Sequence, residues 1–207
     1  HHDQAMQHAT AITVKGDFNN SVFEAPGNSA LFSKKADGFY ARLAGANGEI
    51  NDHKVLYTFG TEPLQQYLVA LPGGRLQQLP VAWNTLTKQW FDPQPELLAQ
   101  PGEWVHWSEG GKNWNSMCAD CHSNNVEKNF DIASNSYSTT VAELDVSCES
   151  CHGPGRDHVE TVSSTNFNAA VDNLYISMKV GEDSQAVVDQ CGRCHARRQQ
   201  LTNKFEH

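Results

Sequence analysis

The sequence predicts an α+β fold: an antiparallel β-rich subdomain over residues 14–103, then a loop-and-helix module over residues 104–207, with a short leading segment, residues 1–13. Three observations predict it. Between Val14 and Phe91 short runs of strand composition alternate with turn signals. From Trp104 onward that pattern fades. All six cysteines lie in the second region, from Cys118 to Cys194.

The strand-like runs come in order. Ser21-Val22-Phe23-Glu24 precedes the turn Pro26-Gly27-Asn28, and Ala30-Leu31-Phe32 leads through Ala36-Asp37-Gly38 into Phe39-Tyr40-Ala41-Arg42-Leu43. Asn47-Gly48 is a hairpin pair, because both residues tolerate positive φ. Lys54-Val55-Leu56-Tyr57-Thr58-Phe59 and Tyr67-Leu68-Val69-Ala70-Leu71 follow, the latter meeting Pro72-Gly73-Gly74 before Arg75-Leu76-Gln77-Gln78-Leu79. Together they read as an antiparallel meander. In the second region Ser134 to Thr140 reads as a loop. Asp183 to Gln200 reads as a helix capped by Asp183 or Ser184, with Val187, Val188, Cys191, Cys194 and His195 on helical spacing.

The chain has 207 residues, 39% of them hydrophobic, and a net charge of −9 from 15 Lys+Arg against 24 Asp+Glu. Its mean hydropathy is −0.55. No basic stripe is present, which argues against nucleic acid as a partner. No apolar run reaches the roughly 18 residues of a membrane span. The modest apolar content leaves room for a bound apolar group to complete the core.

The cysteines form three Cys-x-x-Cys pairs, each followed by His: Cys118-Ala-Asp-Cys121-His122, Cys148-Glu-Ser-Cys151-His152 and Cys191-Gly-Arg-Cys194-His195. This is the attachment pattern of c-type haem: the thiols add to the porphyrin vinyl groups and the His is held under the iron. A zinc ribbon, a disulfide framework, an iron–sulfur site or a thioredoxin-like pair would each leave the histidines unexplained. His is 10 of 207 residues, so three coincidences have odds of about one in ten thousand. The expectation is three covalent haem c groups, with His122, His152 and His195 as proximal ligands, which makes residues 104–207 a triheme cytochrome c module. Haem attachment normally follows export, so the location expected is periplasmic or extracellular. The sequence, which shows no leader, is then a mature chain, a fragment or an ordered part of a longer one.

A second axial ligand decides the chemistry, since imidazole on both faces lowers the potential and Met raises it. His158 follows the turn Gly153-Pro154-Gly155, which leads the chain away from its own haem and lets His158 reach a neighbouring one; the alternative is an exposed loop His. His106, in Trp104-Val105-His106-Trp107, is either a ligand or an ordinary core residue. His53 reads as a surface strand residue, Met117 as sterically poor for ligating its own haem, and Met178 as a core residue. Arg193, Arg197 and Arg198 suit either propionates or a solvated helix end.

Several strings resemble a known family: Tyr57-Thr58-Phe59-Gly60, Pro63-Leu64-Gln65-Gln66-Tyr67-Leu68-Val69, Pro72-Gly73-Gly74-Arg75-Leu76, His106-Trp107-Ser108, Asn113-Trp114-Asn115-Ser116-Met117-Cys118, Ser147-Cys148 through Gly155, and Cys194-His195-Ala196-Arg197-Arg198. Over nearly the whole chain they look like the bacterial multihaem cytochromes related to cytochrome c-554, many of which carry tetratricopeptide repeats. The resemblance implies a distal ligand at His2 and one at His158, serving a neighbouring haem. The family's upstream haem motif and downstream repeats are absent from this sequence.

The function expected is electron transfer through three bis-His haems completed by His2, His106 and His158. The partners expected are other redox proteins or neighbouring cytochrome subunits, with a homo-oligomer arising where His2 ligates a neighbour's haem. Two alternatives stand beside it. A reductase of small nitrogen or sulfur oxyanions needs an iron with an open site and acid groups nearby. The other is a subunit of an extracellular conducting polymer. No constellation dedicated to catalysis is visible, so the chain reads as a carrier rather than an enzyme.

Overall fold

The computed structural model describes residues 6–164, 184–196 and 201–202. Strands β1 (Met6–His8), β2 (Asn19–Ala25), β3 (Asn28–Lys35), β4 (Gly38–Ala44), β5 (Ile50–Phe59), β6 (Leu64–Leu71), β7 (Arg75–Gln78), β8 (Ala82–Asn84) and β9 (Gln89–Phe91) form one nine-stranded sheet. The order is β2-β3-β4-β5-β6-β8-β9, with β1 on β5 and β7 on β6. Every pairing is antiparallel. The predicted meander is therefore present, and Gly48 turns the β4–β5 hairpin at φ +74°. The sequence reading missed β1, β8 and β9, which are three residues each and too short for a period-2 signal.

One face of the sheet buries an aromatic core. Phe39, Ala41 and Leu43 alternate inward along β4. Phe18, Phe32, Tyr67, Val69, Trp83 and Trp107 join them. Trp90 stacks on Phe32 with ring centroids 3.6 Å apart, and Phe18 meets Tyr67 edge to face at 5.3 Å. Aromatic rings bring a large apolar area per residue, so much of the mass missing from the aliphatic count is supplied by the chain itself. The Tyr67 hydroxyl accepts from Gly16 N at 2.9 Å and donates to Gln65 Oε1 at 2.8 Å, which leaves it satisfied within the core.

The opposite face carries a second, smaller cluster of Met6, Leu68, Trp114, Ala119 and Val126. Strand β6 is thus covered on both sides: Tyr67 and Val69 enter the first cluster and Leu68 the second. Strand β5 achieves the same with a β-bulge. Val55 pairs with Val69, yet Tyr57 pairs with Leu68, so one extra residue intervenes. The bulge reverses the facing of the strand beyond it: Val55 packs in the first cluster, while Tyr57 and Phe59 pack against the second.

Beyond the sheet lie five α-helices among the described residues: α1 (Trp114–Met117), α2 (Ala119–His122), α3 (Cys148–His152), α4 (Arg156–Ser163) and α5 (Ser184–His195). The helix expected over Asp183 to Gln200 is present as α5, and residues 197–200 lie outside the described residues. The stretch read as a loop contains a two-residue strand, β11 (Ser136–Tyr137), which pairs with β10 (Phe130–Asp131). No helix among the described residues is long and apolar enough to cross a membrane.

Replacing Tyr67 with Phe leaves the Gly16 N–H without its acceptor, and the loss expected is about 1–3 kcal/mol. Urea unfolding checks it as a lower midpoint at unchanged slope. Burial also holds the Tyr67 phenol well above its usual pKa. The fold favours the neutral phenol, so this contribution is complete below the unfolded pKa of about 10 and is lost as pH rises above it. The melting temperature should fall between about pH 10 and 11 in the parent, and less in Tyr67→Phe.

Candidate haem-binding site

The first motif is fixed to the sheet by a polar network. Gln77, fully buried on β7, donates to the Trp107 and Glu109 carbonyls at 2.9 and 2.5 Å and accepts from Asn113 Nδ2 at 3.2 Å. Asn113 caps α1: its Oδ1 accepts from Ser116 N at 3.1 Å. Asn115 accepts from Leu76 N at 2.7 Å and donates to Gly74 O and Thr139 Oγ1 at 3.3 and 2.9 Å. Gly74, at φ +67°, lets this corner close, since a Cβ there would lie 2.1 Å from Tyr137 O.

Helix α2 then carries Cys121 and His122, with Cys118 at its N-cap. Cys118 packs against the second cluster. Burial pushes its thiol up to about 11, with Lys112 opposing weakly. Such a sulfur suits a thioether against apolar groups better than a thiolate metal ligand. His122 meets the Phe59 ring at 4.4 Å. Burial lowers its pKa and so favours the neutral imidazole, the form that ligates iron.

The chain after His122 doubles back. Asn124 N donates to Glu143 O at 3.0 Å and Glu127 N to Thr140 O at 2.9 Å. Asn124 Nδ2 donates to Ser147 Oγ at 3.0 Å, which brings the N-cap of α3 to the end of α2. Helix α5 closes on both: Gln190 Nε2 donates to Ser150 O at 2.9 Å, and the Cys121 thiol approaches Arg193 O at 3.9 Å. All three motifs thereby border one cavity of about 420 Å³, lined by Asp120 and Cys121 of the first, Glu149 and Ser150 of the second, and Arg193 and Cys194 of the third. Its size lies within the range of cofactor pockets, about 300–1,000 Å³.

A second cavity, of about 750 Å³, is lined by Cys148, His152, Arg156, His158 and Val159. Gly153, at φ +76°, makes the turn between α3 and α4, and Gly155 N donates to Glu149 Oε1 at 2.7 Å. His158 on α4 therefore shares a cavity with residues of its own motif. His106 lies elsewhere. It borders a cavity of about 30 Å³ with Asn28, Leu79, Asp92 and Lys112, where no motif residue contributes. Its Nδ1 is 2.8 Å from Ser108 Oγ, and burial lowers its pKa against the opposing charges of Glu109 and Glu103. His53 is half-buried on β5 beside Trp107 at 5.3 Å rather than at the surface. His2, Met178, Arg197 and Arg198 lie outside the described residues.

The residues present fit haem. Val187, Val188, Cys191 and Cys194 on α5 are exposed, an apolar and reactive surface that no described residue covers. Among the described residues Ser150 Oγ, on helix α3 and at the edge of the shared cavity, is a buried polar atom with no hydrogen-bond partner. Phe59 is the contributor that sequence reasoning missed: its contact with His122 depends on the β5 bulge, which has no signal in the run Lys54 to Phe59.

Three Cys-x-x-Cys-His motifs are thus grouped around one cavity, the arrangement that a multihaem c-type cytochrome requires. Residues 104–153, which hold the first two motifs, match the family described as cytochrome c554 and c-prime. The family resemblance stated from the sequence is borne out over those residues, and the match supports haem c binding there. No curated protein matches the chain. Two solved structures are similar at a distance. The outer cell wall cytochrome OcwA shares 19% identity over 68% of this chain and 26% of its own, with a TM-score of 0.43. An undecaheme cytochrome from the S-layer of Carboxydothermus ferrireducens shares 19% identity over 70% of this chain and 19% of its own, with a TM-score of 0.41. The chain thus spans about a quarter and a fifth of their lengths.

Asn115→Ala should leave Leu76 N and the Gly74 carbonyl unpaired in the half-buried corner. The loss expected is about 1–3 kcal/mol in urea unfolding, with faster proteolysis between Trp107 and Cys118 than elsewhere.

Proposed function

We propose that this protein transfers electrons through three covalently bound haem c groups, each with histidine on both faces. The observation that carries the proposal is the grouping of three Cys-x-x-Cys-His helices about one 420 Å³ cavity. Haem supplies a reversible ferric–ferrous couple, and groups held this close exchange electrons without substrate chemistry. The chain's part is to fix spacing and axial ligation. Cys118 with Cys121, Cys148 with Cys151, and Cys191 with Cys194 form the thioethers, and His122, His152 and His195 are the proximal ligands.

His2, His106 and His158 form the distal set. His158 has support in the cavity it shares with Cys148 and His152, which makes the second haem its nearest candidate partner. Ser108 at Nδ1 of His106 leaves Nε2 as the coordinating atom. His2 stands four residues before Met6, which pairs with Phe59, the residue packed on His122. Four extended residues span at most about 14 Å. His2 would serve the first haem or, across a subunit boundary, that of a neighbour.

On this reading residues 1–13 supply a ligand, residues 14–103 the β-rich support and residues 104–207 the redox module. Haem attachment after export places the protein in the periplasm or outside the cell, among other redox proteins or cytochrome subunits. The net charge of −9 favours basic docking patches, because long-range attraction raises encounter rates.

The test is haem stoichiometry and spin state after expression with a c-type maturation system. Pyridine haemochrome should give three haems per chain, and each Cys-pair→Ala variant should lose one. Ferric EPR should be low-spin throughout. A high-spin haem that binds CO or nitrite would overturn bis-His ligation and favour the reductase alternative.

A further inference from the structure

Helices α3 and α4 carry His152 and His158, and neither contains a buried residue. Core packing therefore does not set the angle between them. Their link is Gly153-Pro154-Gly155, which has no polar side chain to anchor it. Hydrogen bonds to one residue do so instead. Gly153 N donates to Glu149 O at 3.0 Å, and Gly155 N donates to Glu149 Oε1 at 2.7 Å. Pro154 has no N–H, so both donors of the turn end on Glu149. The first bond only closes the last turn of α3. The second joins the first turn of α3 to Gly155, the N-cap of α4. Its acceptor is a carboxylate, which also sets negative charge at the α4 N-terminus, where the helix dipole favours it. Glu149 lines the 750 Å³ cavity together with His152 and His158.

We propose that Glu149 is a positioning residue: its side chain fixes the turn between α3 and α4 and so holds His158 on the face of the second haem opposite His152, which rests on the reading of His158 as that haem's distal ligand. Glu149 does not touch the iron and acts through direction. His152 moves with α3 and the haem attached to it. His158 meets the same iron only while α4 keeps its angle to α3. Without the bond to Gly155 N, two glycines leave that angle loose, and His158 leaves the iron more often. The reach of the acceptor oxygen counts for more here than its charge. Gln supplies the oxygen at the same reach without the charge, whereas Asp keeps the charge and is one methylene shorter.

The experiment uses the full-length holoprotein and the variants His158→Ala, Glu149→Ala, Glu149→Asp and Glu149→Gln. His158→Ala tests the reading beneath: one haem should turn high-spin in ferric EPR and bind CO when reduced. If every haem stays low-spin in that variant, the His158 reading falls and this proposal with it. Where the signal is present, Glu149→Ala should keep the parent's haem count and show part of the same high-spin signal. Its CO uptake at that haem should be about ten- to a hundredfold faster than the parent's, the range for losing one hydrogen bond to a charged group. Glu149→Asp should follow Glu149→Ala, and Glu149→Gln should restore the low-spin haem. A parent-like spin state and CO uptake in Glu149→Ala overturn the proposal and leave the His158 reading standing. Should Glu149→Ala not take up haem, the Asp and Gln variants decide. The proposal requires Gln to lie nearer the parent than Asp, and any other ranking overturns it.

Discussion

The arrangement depends first on the bulge in β5. An antiparallel strand alternates its side chains strictly, so a regular β5 would send Val55, Tyr57 and Phe59 to one face. The extra residue between Val55 and Tyr57 breaks that parity. Val55 stays in the aromatic core, while Tyr57 and Phe59 turn to the other side, where Phe59 meets His122. At the same place β1 replaces β4 as the neighbour of β5. One inserted residue gives the sheet a second apolar face, and the first Cys-x-x-Cys-His helix is built on that face.

That face alone does not fix the helix, because apolar contact is not directional. Direction comes from Gln77, Asn113 and Asn115. Their amides are buried, and a buried amide left unpaired costs more than a paired one gains. Each finds partners on both sides of the junction, so small displacements of α1 would break several bonds together. The cap at Asn113 starts α1 at a fixed residue, and five residues later Cys118 follows at a fixed angle. The second and third motifs are then located from the first, through Asn124 with Ser147 and through Gln190 with Ser150.

Much of this was legible in sequence, and the physical reasons for the rest are specific. Strands β2 to β6 announce themselves by runs bounded by Gly, Pro and Asn. The unbroken run Tyr67-Leu68-Val69 already marks a strand buried on both faces. The Cys-x-x-Cys-His motifs are local, so the cofactor they imply needs no tertiary structure. The bulge is invisible, because bulges are set by pairing partners rather than by composition. Helices α1 to α4 are four to eight residues long and fall below any periodic signal. The axial partners depend on which segments the fold brings together, and spacing along the chain carries little of that. The sequence offers both His106 and His158 as ligands, yet of the two only His158 lines a cavity with motif residues.

The three motifs also differ in what holds them. Around the first, Trp114, Asn115 and Ala119 are buried, and the sheet supplies the packing. Helices α3, α4 and α5 contain no buried residue. Isolated helices shorter than about 12–15 residues are marginal in water, and α3 has five residues, α4 eight and α5 twelve. Among the described residues, then, what orders the second and third motifs is something other than a protein core. On the proposed reading that is the cofactor: each haem joins two thioethers and one imidazole within a single short helix, and a distal His ties that helix to another segment. Cross-links of this kind act by limiting the unfolded chain, as a disulfide does. Folding would begin at the sheet and first motif and be completed only as the other motifs acquire haem. The same bonds that carry electrons would then supply the order that the packing of these short helices does not.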